Sequence, residues 1–363
     1  MELKEIYSTD FLKSLALTIN KYYKFNTEKF MTDCLQDDWQ DLKLMERSNR
    51  VIESLHIQFP TDFTQAAKIL KQIGPDFTGL VAICLPNYVA KYGLENWQTS
   101  MELLMLLTQY SSAEFAIRPF LIKYPKETSQ QMLKWSKSEN VDVRRLSSEG
   151  IRPRLPWGIR LKQYMNDPTV IMIILNNLIS DDKEYVQKSV ANNLNDINKD
   201  NPEIVIEFAK EYWNQSDSIN WVINRGLRTL FKQGNPEVLT LLGYDKNVDQ
   251  QLKNIQLSSS EKTVVIGGAV NMQYRLQTTL KKETPLYVGY RVHYIRQNKT
   301  DSYKDFFIKR TNLKGNQPLK GNFNIKWKQL TTRKLYPGKH QIDLLVNSKV
   351  VSTVEIELLE EES

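Results

Sequence analysis

The sequence is poor in the residues that carry most enzymatic chemistry. Its 363 residues include two cysteines, Cys34 and Cys84, and three histidines, His56, His293 and His340. Disulfide scaffolds, zinc clusters and most histidine-based triads are thereby excluded, because each needs several such side chains at set spacings. No apolar run approaches the roughly 20 residues of a membrane span. The opening MELKEIYSTDFLKSLALTI carries acids and has no small-residue cleavage site after a basic end. It does not read as a secretory leader, so a cytoplasmic protein is expected. Phosphate loop, dinucleotide fingerprint, HExxH motif and nucleophile elbow are all missing. The expectation is a protein without metal or cofactor, whose chemistry rests on carboxylates, arginines and aromatics.

What the chain does have is an uneven charge. The net of +7 is not shared: residues 1–250 hold 30 Lys+Arg against 32 Asp+Glu, and residues 251–363 hold 19 against 10. Five of those ten acids lie in the last nine residues, so the C-terminal body before them is strongly basic. Such a surface attracts a polyanion, nucleic acid first, although solubility alone would also account for it. A second concentration lies in the near-neutral part. Arg144, Arg145, Arg152, Arg154 and Arg160 are half of the ten arginines of residues 1–250, within seventeen residues. Arginine binds phosphate or carboxylate through a planar fork, where lysine offers only a point charge.

Hydrophobic period divides the chain in two. Up to about residue 245 apolar residues recur at three and four spacing, as in NWQTSMELLMLLTQY and EIVIEFAKEYW, which predicts helices. Tyr124-Pro125, Asp167-Pro168, Asn201-Pro202 and Asn235-Pro236 mark helix starts at spacings of 43, 34 and 34 residues. Paired helices at such a period predict a HEAT-like α-solenoid over 1–245. From residue 252 the period becomes two, with aromatic and β-branched strands such as PLYVGYRVHYIRQ and HQIDLLVN between turn residues. About seven short strands over 252–363 predict an immunoglobulin-like sandwich without the cysteine pair of an antibody domain. GYDKNVDQQ, 243–251, reads as the linker. The fold class expected is mainly α, with a C-terminal all-β domain.

The residues that could do chemistry each have a plain structural alternative. Arg145 and Arg152 lie four before and three after Glu149, near the end of a helix begun at Asn140. They read either as a functional cluster or as ion pairs that fix the loop IRPRLPWG. Trp157 on that loop can face a cation or stack on a base, or pack between helices. Ser111-x-x-Glu114 has the form of a capping box. Asp196 falls with Ser189, Asn192, Asn193 and Asp200 on the face opposite Val186, Val190, Leu194 and Ile197, a pattern that a solvated helix surface would explain.

Three segments shift the balance: SSAEFAIRPF (111–120), VRRLSSEGIRPRLPWG (143–158) and YVQKSVANNLNDINKDNP (185–202). Together they resemble the AlkC branch of the AlkC/AlkD DNA alkylation repair glycosylases, and TTRKLYPGKHQIDLLVN (331–347) is similar to the Ig-like domain that some members carry. The resemblance spans roughly residues 80–350; the first 80 add only helices. Ala113 and Asn193 depart from the pattern, standing where a small polar residue and a histidine are common.

The resemblance implies a DNA glycosylase that excises cationic N-alkylated bases, chiefly 3-methyladenine, from bent duplex DNA held against the helical repeats. It implies Glu114, Glu149 and Asp196 as the carboxylates of the reaction, with Glu114 foremost, and Trp157 as the contact to the lesion. Arg118, Arg144, Arg145, Arg152, Arg154, Asn193 and, in the Ig-like domain, Arg333 would contact DNA. Double-stranded alkylated DNA is the expected partner of a monomeric bacterial protein that joins the nucleoid when bound. A HEAT-repeat scaffold without catalysis, or a non-catalytic sensor of damaged DNA, stays open beside it.

Overall fold

The computed structural model describes residues 2–296, 301–315, 318–329 and 334–360. Sixteen α-helices precede eight β-strands among them, so the chain is mainly α with a C-terminal all-β domain. None of the described helices is long and apolar enough to cross a membrane. Helix gives way to strand between Leu241 and Leu252. The compact units divide elsewhere: Met1–Asn201 with Asp217–Val222 form one, and Pro202–Ser216 with Ile223–Ser363 form the other.

The proline-marked starts are helix starts. Helices run over Pro125–Trp135, Thr169–Leu178, Pro202–Tyr212 and Pro236–Leu241. At two of them the preceding side chain satisfies the orphan amides. Asp167 accepts from the Thr169 amide at 3.0 Å, and Asn235 accepts from those of Glu237 and Val238 at 3.0 and 3.1 Å.

Within the first unit the Val141–Glu149 helix is the hub. Asn140 caps it by accepting from the Asp142 and Val143 amides at 2.9 and 3.2 Å. It packs on the helices Pro125–Trp135, Thr169–Leu178 and Glu184–Ile197. Gly150 ends it. A Cβ there would stand 2.6 Å from Ile117 Cγ2, so only glycine lets the exit loop start so close to its neighbour.

The Glu184–Ile197 helix corrects the sequence reading. Val186, Val190, Leu194 and Ile197 are buried as expected, but Ser189, Asn193 and Asp196 are buried too. Their face is not solvated. It turns to the Val141–Glu149 helix and its exit loop, which supply the polar partners without which such burial is costly.

In the second unit the strands are β1 Leu252–Ser259, β2 Thr263–Val265, β3 Ala269–Thr278, β4 Leu280–Ile295, β5 Asp301–Gly315, β6 Pro318–Lys326, β7 Gly338–Val346 and β8 Lys349–Leu359. One sheet has the order β1-β3-β6 and the other β2-β8-β7-β4-β5. All pairings are antiparallel except β2 with β8. Trp327, Val292, Ile342, Ile356 and Leu358 lie in the core cluster of this domain. The β7–β8 hairpin turns on Asn347 and Ser348 at φ 45° and 67°, the left-handed pair that a type I′ turn requires. Segment 243–251 is no loose tether: Val248 is fully buried, and the Asp245 carbonyl accepts from Asn347 Nδ2 at 2.8 Å.

Candidate active site

Acids and bases alternate along one continuous network in the first unit. Arg145, on the inner turn of the Val141–Glu149 helix, donates to Ser112 Oγ at 2.8 Å and pairs with Glu114. Its other Nη lies 3.8 Å from Glu149. Glu149 accepts from Arg152 Nη1 at 2.6 Å on one oxygen and from Ser189 Oγ at 2.6 Å on the other. Arg152 also holds Asp196 with both Nε and Nη2 at 2.8 Å, and Lys199 reaches the second Asp196 oxygen at 3.2 Å. Two helices, the 150–161 loop and the segment before Arg118 thus bring together Glu114, Glu149 and Asp196, far apart in sequence, each beside a cation.

Electrostatics keep the two arginines of this network charged. Burial alone would pull the Arg145 guanidinium down, but Glu114 and Glu149 outweigh it and the net shift is upward. Burial opposes Arg152 in the same way, and Glu149 with Asp196 reverses it. The Tyr185 ring centroid lies 4.9 Å from the Arg145 guanidinium carbon, a cation–π contact that adds to its ion pairs.

The three carboxylates differ in access. The Asp196 side chain is 3% exposed and that of Glu149 8%, with both oxygens of each engaged inside the protein. That of Glu114 is 15% exposed, and its contacts with Ser112 Oγ, at 2.7 Å, and with Arg145 both fall on Oε2. Among the described residues no hydrogen bond or ion pair engages Oε1. Glu114 does not cap a helix as Ser111-x-x-Glu114 suggests. The helix starts only at Arg118, Ser111 donates instead to the Gly79 carbonyl at 3.0 Å, and Glu114 is free for Arg145.

Beside the network stands a rigid loop. The Gly158 amide donates to the Leu155 carbonyl at 3.1 Å, closing a β-turn with Pro156 and Trp157 at its centre. Trp157 has φ 63°, the left-handed region where glycine or asparagine is usual, and is 71% exposed. The packed tryptophan is therefore not what the fold holds. Strain of this kind persists only where the surrounding structure fixes it, as the hydrogen bonds of the 150–161 loop do here.

The arginines divide by what they touch. Arg118 is fully buried. It donates to the Gly150 and Arg152 carbonyls at 2.9 Å each, and to that of Ile159 through both Nε, at 2.6 Å, and Nη2. Burial and then the neighbouring Arg152 push it down to about 10, still cationic at neutral pH. In this position it braces the loop from inside and has no open face for DNA. Arg144 is likewise engaged inward, by Asp181 at 2.6 Å and by the Ser138 and Glu139 carbonyls at 2.9 Å. Arg154 pairs bidentately with Asp200 at 2.9 and 2.6 Å near the surface, and Arg160 is exposed. Asn193 donates to the Ser148 carbonyl at 2.8 Å, while its fully buried Oδ1 has no partner among the described residues. Arg333 lies outside the described residues.

A family model described as DNA alkylation repair enzyme matches residues 106–230, the whole of this network and loop. A second, described as Uncharacterised protein YhaZ, C-terminal Ig-like domain, matches residues 253–360. Uncharacterized protein YhaZ of Bacillus subtilis (strain 168) is 35% identical over 358 residues, 98% of this chain and 99% of its own. Pseudomonas fluorescens alkylpurine DNA glycosylase AlkC, solved bound to DNA containing an abasic site analog, is 36% identical, with a TM-score of 0.79 over 99% of both chains. The chain belongs to the AlkC family.

For this AlkC-family chain, sequence reasoning singled out the three carboxylates that the fold brings into one network but missed three other residues that contact them. Ser112 bridges Glu114 and Arg145, Ser189 holds the far oxygen of Glu149, and Lys199 completes Asp196. Only Ser189 left a signal: it shares the polar helix face with Asn193 and Asp196, and such a face is worth reading as buried when acids and amides alternate on it.

Proposed function

We propose that this chain is a DNA glycosylase of alkylation repair, hydrolysing the N-glycosidic bond of cationic alkylated bases such as 3-methyladenine in bent duplex DNA. The observation that carries the reading is the alternating network Glu114–Arg145–Glu149–Arg152–Asp196 beside the exposed, strained Trp157. It lies in a chain 36% identical over nearly its whole length to an alkylpurine DNA glycosylase. We assign catalysis to the helical repeats of 1–245 and an accessory grip on the duplex to the basic 252–363 domain.

An N-alkylated purine cation is already a good leaving group. It needs no general acid of the kind that glycoside hydrolysis uses. What must be stabilised is the positive charge that grows on the sugar as the bond breaks, and what must be supplied is a water held on the opposite face. Glu114 suits both roles: Arg145 and Ser112 fix its Oε2, and Oε1 points no bond inward. Glu149 and Asp196 hold Arg145 and Arg152 in place, so the carboxylate that meets the sugar does not reorganise during the reaction. Trp157 faces the cationic base, a contact worth about 0.5–2 kcal/mol that a neutral base would not gain. Phosphate contacts fall to Arg154 and Arg160 rather than to the inward Arg118 and Arg144.

The test is single-turnover release of free base from duplex DNA containing 3-methyladenine. Wild type should leave abasic sites, and Glu114→Gln should keep DNA binding while losing most of the release. Tight, salt-sensitive DNA binding without any release by the wild type would leave a damage-binding protein and retire the glycosylase reading.

A further inference from the structure

Trp157 is not alone on its loop. Ile159, two residues on, is 57% exposed, and Arg160 beside it is exposed as well. Two large apolar side chains turned to water two positions apart, one in the turn and one just past it, form the kind of exposed apolar pair that marks a binding surface. The backbone beneath them is fixed. The Ile159 carbonyl accepts two bonds from Arg118, Leu161 donates to the Pro153 carbonyl at 3.1 Å, and Gly158 closes the turn on Leu155. A Cβ at Gly158 would stand 3.1 Å from Leu155 and 3.2 Å from Arg118 Nε, so the backbone between the prongs lies directly on that brace. Residues 150–166 contain Arg152, Arg154, Arg160 and Lys162 and no acid. Apolar prongs on a rigid cationic base suit a polyanion with a stacked apolar interior, which is duplex nucleic acid.

We infer that Ile159 is a second prong, a wedge that enters the base stack of the duplex beside the lesion and holds it open for Trp157. The inference rests on the glycosylase reading for its substrate. A wedge pushed between base steps unstacks them and bends the helix, at a cost that grows with the integrity of the stack. Arg118 acts on this step as a positioning residue, because it fixes the carbonyl of the wedge residue itself. Ile159 makes its contribution through its side chain, whose loss leaves that carbonyl and its bonds in place.

The experiment compares wild type, Ile159→Ala and Ile159→Leu on two duplexes carrying the same alkylated adenine, one fully paired and one with a mismatch next to the lesion. Ile159→Ala should slow single-turnover release on the paired duplex by on the order of tenfold or more, and stay within about threefold of wild type on the mismatched one, where unstacking is already partly met. Ile159→Leu should restore the paired rate. Fluorescence of 2-aminopurine placed beside the lesion reads unstacking without catalysis. It should rise when wild type binds and stay low with Ile159→Ala at saturation. Equal release rates on both duplexes, an equal loss on both, or an undiminished fluorescence rise with Ile159→Ala would overturn the wedge. A wild type that raises the fluorescence but releases no base would sink the glycosylase reading and leave the wedge standing.

Discussion

Trp157 offers a test of strain that separates folding from function. Its φ of 63° places it in the left-handed region at the third position of a turn, where glycine is at home. Its ring is 71% exposed, so little core depends on it. The buried remainder, about 60 Å² of the 150–250 Å² such a ring can bury, is worth about 1.5 kcal/mol at 25 cal/mol per Å². Trp157→Ala and Trp157→Gly both lose that amount. They differ in the backbone. An L-residue in this region costs about 1–2 kcal/mol, which glycine escapes. Glycine's larger freedom when unfolded takes back about 0.5–1 kcal/mol. The glycine variant should therefore be more stable than the alanine variant by about 0.5–1 kcal/mol, the reverse of the usual order. Neither should approach the roughly 3–5 kcal/mol loss of a core tryptophan. Urea unfolding followed by far-ultraviolet circular dichroism gives both midpoints, and a base-release assay on the same samples should find both variants impaired. An alanine variant as stable as the glycine variant, or more so, would refute the strained turn.

Other outcomes follow from the network and the sandwich. Arg152→Met should destabilise the first unit by about 3–5 kcal/mol, because it strands Glu149 and Asp196 as buried carboxylates without their shared cation. Adding Asp196→Asn should recover part of the loss, and a urea midpoint unmoved by the single change would show that Arg152 is not the keystone. In the β domain, burial would raise the Asp343 carboxyl, but bonds from His293, Gln341 and Thr353 outweigh it and hold it below the ordinary aspartate value. The ionised form therefore favours the fold: its contribution is complete above about pH 3.9 and is lost as pH falls through the lower folded value. Asp343→Asn should flatten that part of the acid unfolding curve, and an unchanged curve would remove Asp343 as its source.

Much of this was legible because it is local. Asn140 and Asn235 cap helices from within their own sequence neighbourhood, and the prolines at 125, 168, 202 and 236 cannot sit far from a helix start. The alternation of strands around Trp327 needs only period two. What stayed hidden is which polar residue faces which. Ser111-x-x-Glu114 has the residue types of a capping box, yet an arginine some thirty positions on competes for the carboxylate and wins, because a charged bond in a half-buried site is stronger than an end-of-helix bond to a neutral amide. Arg118 reads in sequence like the exposed Arg160, and only the folded path of the 150–161 loop shows that three carbonyls converge on it. The buried polar face of Ser189, Asn193 and Asp196 was invisible for the same reason: its partners come from another helix.

The order of the five-stranded sheet has a consequence for how the second unit is made. β8, the last strand of the sandwich to be synthesised, lies between β2 and β7 and is the partner that β2 pairs with in parallel. β2 emerges early and has no seat in the sheet until β8 follows. The five-stranded sheet must therefore wait for β8 before β2 can join β7, β4 and β5, while the helices that precede β1 in the chain emerge long before. During synthesis the nascent chain carries Glu114, Glu149 and Asp196 ahead of an unfinished sandwich, and a truncation within β8 would unseat β2 as well, while β7 keeps its pairing with β4.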